Sequence, residues 1–141
     1  RDPRDVVLSG FRRRFGMNAA MYQLATLEGA AAYYDAVMRL VELYRAKLAL
    51  PFQTVRYEGL VEDLRREVEG VCAFIGVDWS DAMLDFVETA RGRAIRTPSA
   101  RQVERGLYSE GVGQWRAYAA QMAPVMPLLA PWVEKFGYPA D

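Results

Sequence analysis

The first sixteen residues carry side-chain donors that suit a phosphate group. Ser9 and Arg13 stand four positions apart, so on a helix they share one face. A guanidinium offers a planar fork of N–H donors and a hydroxyl adds one more. Arg1 adds a second guanidinium at the start, and residues 1–16 contain five Arg against two Asp. The segment therefore indicates a phosphate site, although a solvated helix face with ordinary charge pairs explains the same residues.

Two other stretches combine residue types that suit a nucleotide. Ligands of open α/β sheets bind at the carboxyl ends of strands, so Tyr57, at the end of the strand predicted at 53–57, is placed to pack on or bond to a flat base. A core tyrosine is the alternative interpretation. Residues 97–105 supply hydroxyl and basic groups, and residues 111–115 supply a glycine-containing turn into a helix. Because turns need glycine in any case, this last signal is weak.

Composition excludes several mechanisms and partners. The chain has 141 residues and no histidine, which excludes within it a Ser-His-Asp triad, a zinc–histidine site and a histidine general base. Lys and Arg number 18, as do Asp and Glu, so we expect no nucleic-acid partner. No apolar run reaches the roughly 18 to 20 residues of a membrane span. The single cysteine, Cys72, fits a reducing compartment and predicts a cytoplasmic protein.

The apolar pattern predicts that most of the chain is helical. A capping Asp2 followed by Pro3 predicts a helix over about 3–15. Polar residues that recur every three or four positions predict a helix over 28–50 that is buried around most of its circumference. Apolar spacing predicts a helix at 60–75 that ends at Gly76. A capping Ser80 predicts a helix at 80–90, and a last helical region with three interrupting prolines is predicted at 115–136.

Residues 53–57 are the only convincing strand in the sequence. The run QTVRY is β-branched and aromatic and closely follows a proline. A strand cannot satisfy its own backbone groups, and the sequence offers no partner strand of similar quality. The chain also opens at Arg1 without an initiator methionine. We therefore expect a predominantly α-helical fragment of an α/β protein, with one clear strand and with its other part missing.

Together these motifs resemble those of one family. They are RDPRDVVLS at 1–9, VRYEGLVEDL at 55–64, CAFIGVDW at 72–79, AMLDF at 82–86, GVGQWRAY at 111–118 and KFGY at 135–138. The chain resembles the C-terminal half of sulfotransferases that use 3'-phosphoadenylylsulfate. It looks closest to a bacterial type often fused behind tetratricopeptide repeats, itself similar to tyrosylprotein sulfotransferases. The resemblance implies that residues 1–141 are the C-terminal part of a P-loop-like α/β domain whose N-terminal phosphate-loop half is absent.

The resemblance also implies which residues hold the 3'-phosphate of the nucleotide. In the family, an Arg and a Ser eight residues later hold it, which corresponds to Arg1 and Ser9. In the tyrosylprotein branch an Arg four residues past that Ser joins them, which corresponds to Arg13. A basic residue shortly after a Gln-Val pair also reaches this phosphate, which corresponds to Arg105.

The remaining roles are implied in the same way. Tyr57 would contact the adenine, and Ser99 would lie near the sulfuryl group as the catalytic residue of this chain. The implied partners are the nucleotide sulfate donor as co-substrate and an acceptor that carries a hydroxyl, with no metal. The base that deprotonates the acceptor belongs to the family's other half, so we expect no turnover from this chain alone.

Two other functions remain open from the sequence. A non-catalytic helical module could keep the sulfotransferase pattern and act by protein contact, for instance as a homodimer through the 28–50 helix. A nucleic-acid binder using Arg12 to Arg14 is the weakest alternative because the chain is neutral overall. The discriminating feature is whether Arg1, Ser9 and Arg105 converge on one spot, since a contact module has no reason to keep them together.

Overall fold

The computed structural model describes residues 1–13, 15–16, 18–91 and 106–141, and every regular element in these ranges is helical. No helix in these ranges has both the length and the apolar character of a membrane span. The α-helices are α1 (Pro3–Arg12), α2 (Ala19–Tyr22), α3 (Leu27–Lys47), α4 (Tyr57–Glu62), α5 (Leu64–Ile75), α6 (Phe86–Arg91), α7 (Ala119–Met122) and α8 (Met126–Lys135). Short 3₁₀ helices lie at Gln23–Ala25, Asp81–Asp85, Gln114–Tyr118 and Ala123–Val125.

The chain divides into two compact units. The first unit comprises Arg1–Pro51 and Glu110–Asp141, and so contains α1 to α3 together with α7 and α8. The second unit comprises Phe52–Ser109 and contains α4 to α6. The first unit thus joins the two ends of the chain.

Helix α1 begins where the sequence predicts. The Asp2 carboxylate accepts a hydrogen bond from the Arg4 N–H at 2.9 Å, and Pro3 occupies the first turn, where its missing N–H removes no helical bond. The helix ends at Arg12, three residues before the predicted end, because Arg13 adopts extended backbone angles. Within the first unit, α1 packs against α3 and α8.

The core of the first unit is formed by buried apolar residues from all of its long helices. Val7 and Leu8 come from α1, and Ala30 and Ala31 come from α3. The C-terminal part of the unit supplies the larger side chains Trp115, Met122, Val125 and Leu129. Small residues on α3 therefore face large residues from the C-terminal helices, and this pairing lets the helices pack closely.

Helix α3 confirms the predicted element but not its predicted burial. It starts after Thr26, whose hydroxyl accepts the Gly29 N–H at 3.0 Å, and it ends at Lys47, before Pro51. Its only buried residues are Ala30 and Ala31. The prediction that most of its circumference is buried is wrong for this chain, because the long apolar side chains of its second half lie exposed.

The last helical region follows the positions of its prolines. Pro124 lies at the start of the 3₁₀ helix Ala123–Val125, and Pro127 lies in the first turn of α8, where a missing N–H is tolerated. Pro131 lies inside α8, which nevertheless continues to Lys135. The predicted region at 115–136 is therefore confirmed as a series of short helices rather than one continuous helix.

The predicted strand at 53–57 is wrong. Residues 53–56 have no regular structure, and Tyr57 begins α4. A strand is stable only when neighbouring strands satisfy its backbone N–H and C=O groups, and the described residues contain no strand that could do so. Over the described ranges the chain is a helical fragment, so the α/β fold class is not found.

The second unit contains the helix that the sequence predicts at 60–75, divided into two. The Asp63 carboxylate caps α5 by accepting the Arg66 N–H at 3.0 Å, which separates α5 from α4. Gly76 ends α5 in the left-handed region, with φ at 75°, as the sequence predicts. Cys72 is buried as expected, with its sulfur 3.7 Å from the Met83 sulfur.

Leu129 tests the core of the first unit. Its side chain is fully buried, whereas the adjacent Leu128 is 37% exposed. We expect Leu129→Ala to lower the free energy of unfolding by about 2–5 kcal/mol, since it removes buried contacts and leaves a cavity. Leu128→Ala is the matched control and should cost less than about 1 kcal/mol. Urea denaturation measures both, and equal losses would contradict this description of the core.

Tyr34 tests the same core through pH. Burial, and secondarily the negative charge of Asp2, raises the pKa of Tyr34 from 10.0 to about 12. The folded chain therefore holds the phenolic proton more tightly than the unfolded chain. This contribution to stability is complete below about pH 10 and is lost as the pH rises through about 12.

We expect Tyr34→Phe not to show this loss of stability at high pH. The difference between its urea midpoint and that of the wild type should increase from about pH 9 to about pH 11.5, because phenylalanine has no proton to release. Tyr44→Phe, on the exposed side of α3, is the control and should track the wild type. If the two variants behave alike across this range, Tyr34 does not carry the effect.

Candidate functional site

Helix α1 is bound to residues 111–115 (Gly-Val-Gly-Gln-Trp), which we call the 111–115 segment. The Asp5 carboxylate is 1% exposed and accepts two backbone hydrogen bonds from this segment. The Gly113 N–H donates to one oxygen at 2.7 Å and the Trp115 N–H donates to the other at 2.9 Å. A buried carboxylate is stable only with such partners, so this contact fixes the position of the segment against α1.

Arg1 points to the same segment. It is half-buried, and its Nη2 donates a hydrogen bond to the carbonyl of the buried Gly111. A guanidinium carries five N–H donors in a planar fork, and this bond orients the fork. The predicted phosphate-binding arginine is therefore held at the 111–115 segment.

The far end of α1 makes a third contact with the segment. Arg12 Nη1 donates to the Gln114 side-chain oxygen at 2.9 Å, and its guanidinium carbon lies 5.3 Å from the centre of the Tyr118 ring. Both ends of α1 are thus fixed to residues that lie more than a hundred positions away in sequence.

Helix register places Ser9 on this same face of α1. Positions 5, 9 and 12 follow the i, i+4, i+7 pattern of one helix face, and both Asp5 and Arg12 contact the 111–115 segment. Ser9 lies between them and is half-buried. Of the predicted phosphate-binding residues, Arg1 and Ser9 therefore lie on the side of α1 that faces the segment.

The other predicted residues are placed differently. Arg13 is half-buried and directly follows α1, with its N–H donating to the Gly10 carbonyl at 3.2 Å. Tyr57 belongs to the second unit, where its hydroxyl donates to the Tyr108 carbonyl at 2.9 Å and its ring meets the Tyr108 ring edge-on. Ser99 and Arg105 lie outside the described residues, so the predicted convergence with Arg105 stays a prediction.

Sequence reasoning missed the two charged residues that organise the start of α1, Asp5 and Arg4. Arg4 is fully buried and pairs with Asp2, with 2.8 Å between Nη2 and Oδ2. Its guanidinium also donates to the Pro139 and Ala140 carbonyls, and its carbon lies 3.9 Å above the Trp115 ring. The signal available in the sequence was spacing: Arg4 stands three positions before Val7 and Asp5 stands three positions before Leu8, so each shares a helix face with an apolar residue.

The comparisons with known proteins identify the family. A sulfotransferase family model matches residues 1–81. The chain belongs to the sulfotransferase family. This confirms the predicted family, and the matched region contains four of the predicted site residues of this sulfotransferase chain, namely Arg1, Ser9, Arg13 and Tyr57. Ser99, Arg105 and the 111–115 segment lie beyond it.

A curated relative matches this chain over a small part of its own length. A protein of Aquifex aeolicus (strain VF5), described as uncharacterized, is 29% identical over 83 residues. The aligned region covers 59% of this chain but only 11% of that relative. No solved structure matches the chain. Within the described residues there is also no group of three or more Cys, Asp or Glu side chains placed to hold a metal ion.

Proposed function

We propose that this chain forms the 3'-phosphate side of the nucleotide site in a sulfotransferase that transfers a sulfuryl group from 3'-phosphoadenylylsulfate to a hydroxyl-bearing acceptor. The observation that carries the proposal is that the Arg1 guanidinium bonds to Gly111, while Ser9 lies at a position of α1 whose helix face contacts the same segment. Membership of the sulfotransferase family supports it.

The chemistry of these groups suits a phosphate dianion. A guanidinium fork and a hydroxyl together donate several hydrogen bonds to phosphate oxygens, and bonds to a charged acceptor are the stronger kind. Arg13 follows Ser9 at the end of α1 and adds positive charge there. Residues 1–13 contain four Arg and two Asp, so this part of the chain carries a net positive charge.

The remaining roles follow the family resemblance. Arg105 would also reach the 3'-phosphate, Tyr57 would contact the adenine, and Ser99 would lie near the sulfuryl group. Sulfuryl transfer, like phosphoryl transfer, requires in-line positioning, donors to the non-bridging oxygens, and a base for the attacking hydroxyl. We propose that the contacts to the 5'-phosphosulfate and the base come from sequence beyond these 141 residues, so that the chain alone shows no turnover. The cytoplasmic location and the fusion to tetratricopeptide repeats stay predictions.

Calorimetric titration tests the phosphate site. We expect the chain to bind adenosine 3',5'-bisphosphate more tightly than 5'-AMP at low salt, where phosphate contacts are least screened. Arg1→Ala and Ser9→Ala should each remove this preference, with about tenfold or more lost for the arginine. Arg39→Ala, an exposed arginine on α3 of the same unit, is the control and should retain it. Equal affinity of wild type for the two nucleotides would contradict the proposal.

A second candidate function is protein contact, which the exposed apolar side of α3 favours. Val37, Leu40, Leu43 and Tyr44 are each 39–50% exposed, and they lie on one side of the helix. Contiguous exposed apolar residues of this kind mark interaction surfaces. The first turn of α3 contains Glu28 and its last turn contains basic residues, so an antiparallel second copy brings opposite charges together. We propose a homodimer through α3 as this alternative.

Sedimentation of the chain over a wide range of concentration tests the homodimer. We expect a dimer that Leu40→Lys converts to a monomer, because a charge at the centre of the apolar side cannot be buried without a partner. Leu128→Lys, a similarly exposed leucine on α8, is the matched control and should leave the dimer intact. A wild-type chain that is monomeric at every concentration would exclude this function.

A further inference from the structure

Both oxygens of the buried Asp5 carboxylate accept hydrogen bonds from the same short segment, residues 111–115. Gly113 and Trp115 donate their backbone N–H groups to the carboxylate from two positions apart. Two bonds to one rigid acceptor fix both the position and the direction of the backbone between them. Gly113 adopts φ of 69°, a left-handed conformation that glycine permits, so the backbone shape at this point is also specific.

The same segment presents the Gly111 carbonyl to Arg1. Arg1 and Asp5 are therefore connected twice. They are joined along the chain through the first turn of α1, and they both bond to the 111–115 segment, Asp5 through two backbone N–H groups and Arg1 through the Gly111 carbonyl. Moving the segment relative to α1 would move the partner that orients Arg1.

We propose that Asp5 is a positioning residue for the nucleotide site: it holds the 111–115 segment so that Gly111 orients the Arg1 guanidinium towards the 3'-phosphate. This inference rests on the proposed function, because it assigns to Asp5 a role in the affinity of that same site. Asp5 does not contact the phosphate, since its carboxylate is buried and occupied by backbone donors.

Electrostatics and positioning predict opposite results when Asp5 loses its charge. A carboxylate close to an anion site repels the anion, so removing its charge should strengthen phosphate binding by Coulomb's law. If Asp5 orients Arg1, the same substitution should weaken binding instead, because an asparagine amide cannot accept from both backbone N–H groups. The sign of the change therefore separates the two effects.

The experiment is a titration of the full chain and its Asp5→Asn variant with adenosine 3',5'-bisphosphate and with 5'-AMP. We expect the affinity ratio between the two nucleotides to fall about tenfold, since the contact at stake is a charge-assisted one, while the affinity for 5'-AMP changes little. Asp78→Asn controls for the loss of a surface carboxylate, and Leu129→Ala controls for the loss of core stability. Both should retain the wild-type ratio.

Gly113→Ala provides a second variant in case Asp5→Asn does not fold. An alanine at a φ of 69° is strained, so it should displace the segment without touching Asp5 or Arg1, and it should lower the same ratio. An unchanged or increased ratio in Asp5→Asn, or in Gly113→Ala where the first variant is unfolded, overturns the role of Asp5 while the nucleotide site stands. A wild-type chain without preference for the bisphosphate overturns both.

Discussion

The hydrogen bonds from Gly113 and Trp115 to the Asp5 carboxylate are the contact on which the arrangement of the first unit depends. They join the two ends of the chain, which form this unit together. A buried carboxylate without partners would be strongly destabilising, so residues 111–115 must lie against α1 whenever Asp5 is buried. The bond from Arg1 to Gly111 and the bond from Arg12 to Gln114 then follow at the two ends of the helix.

Around this contact, charged and apolar groups serve different purposes. The apolar core, from Val7 and Leu8 to Leu129, supplies most of the burial that favours folding. Arg4 forms a buried ion pair with Asp2. It also donates to the Pro139 and Ala140 carbonyls, and so holds the C-terminal residues against the start of α1. Polar contacts of this kind specify one packing of the helices among the many that burial alone would allow.

The sequence predicted the local features well and the tertiary ones poorly. The cap at Asp2, the end of α5 at Gly76 and the proline-divided C-terminal region depend on residues close in sequence. The strand at 53–57 was wrong because a strand depends on partners elsewhere. The contacts of Asp5 were missed because their partners lie 108 and 110 positions away. For the site, the resemblance implied Arg1 and Ser9. Arg1 bonds to Gly111, and helix register places Ser9 on the face of α1 that contacts the same segment, whereas Ser99 and Arg105 lie outside the described residues.

The proposed nucleotide site requires that Arg1 and Ser9 hold the 3'-phosphate. A crystal structure of the chain with adenosine 3',5'-bisphosphate would show whether they do. We expect 3'-phosphate oxygens to lie within about 2.5–3.0 Å of the Arg1 guanidinium and of the Ser9 hydroxyl, with Gly111 still bonded to Arg1. A nucleotide bound with its 3'-phosphate away from α1, or with Arg1 turned away from it, would overturn the proposal.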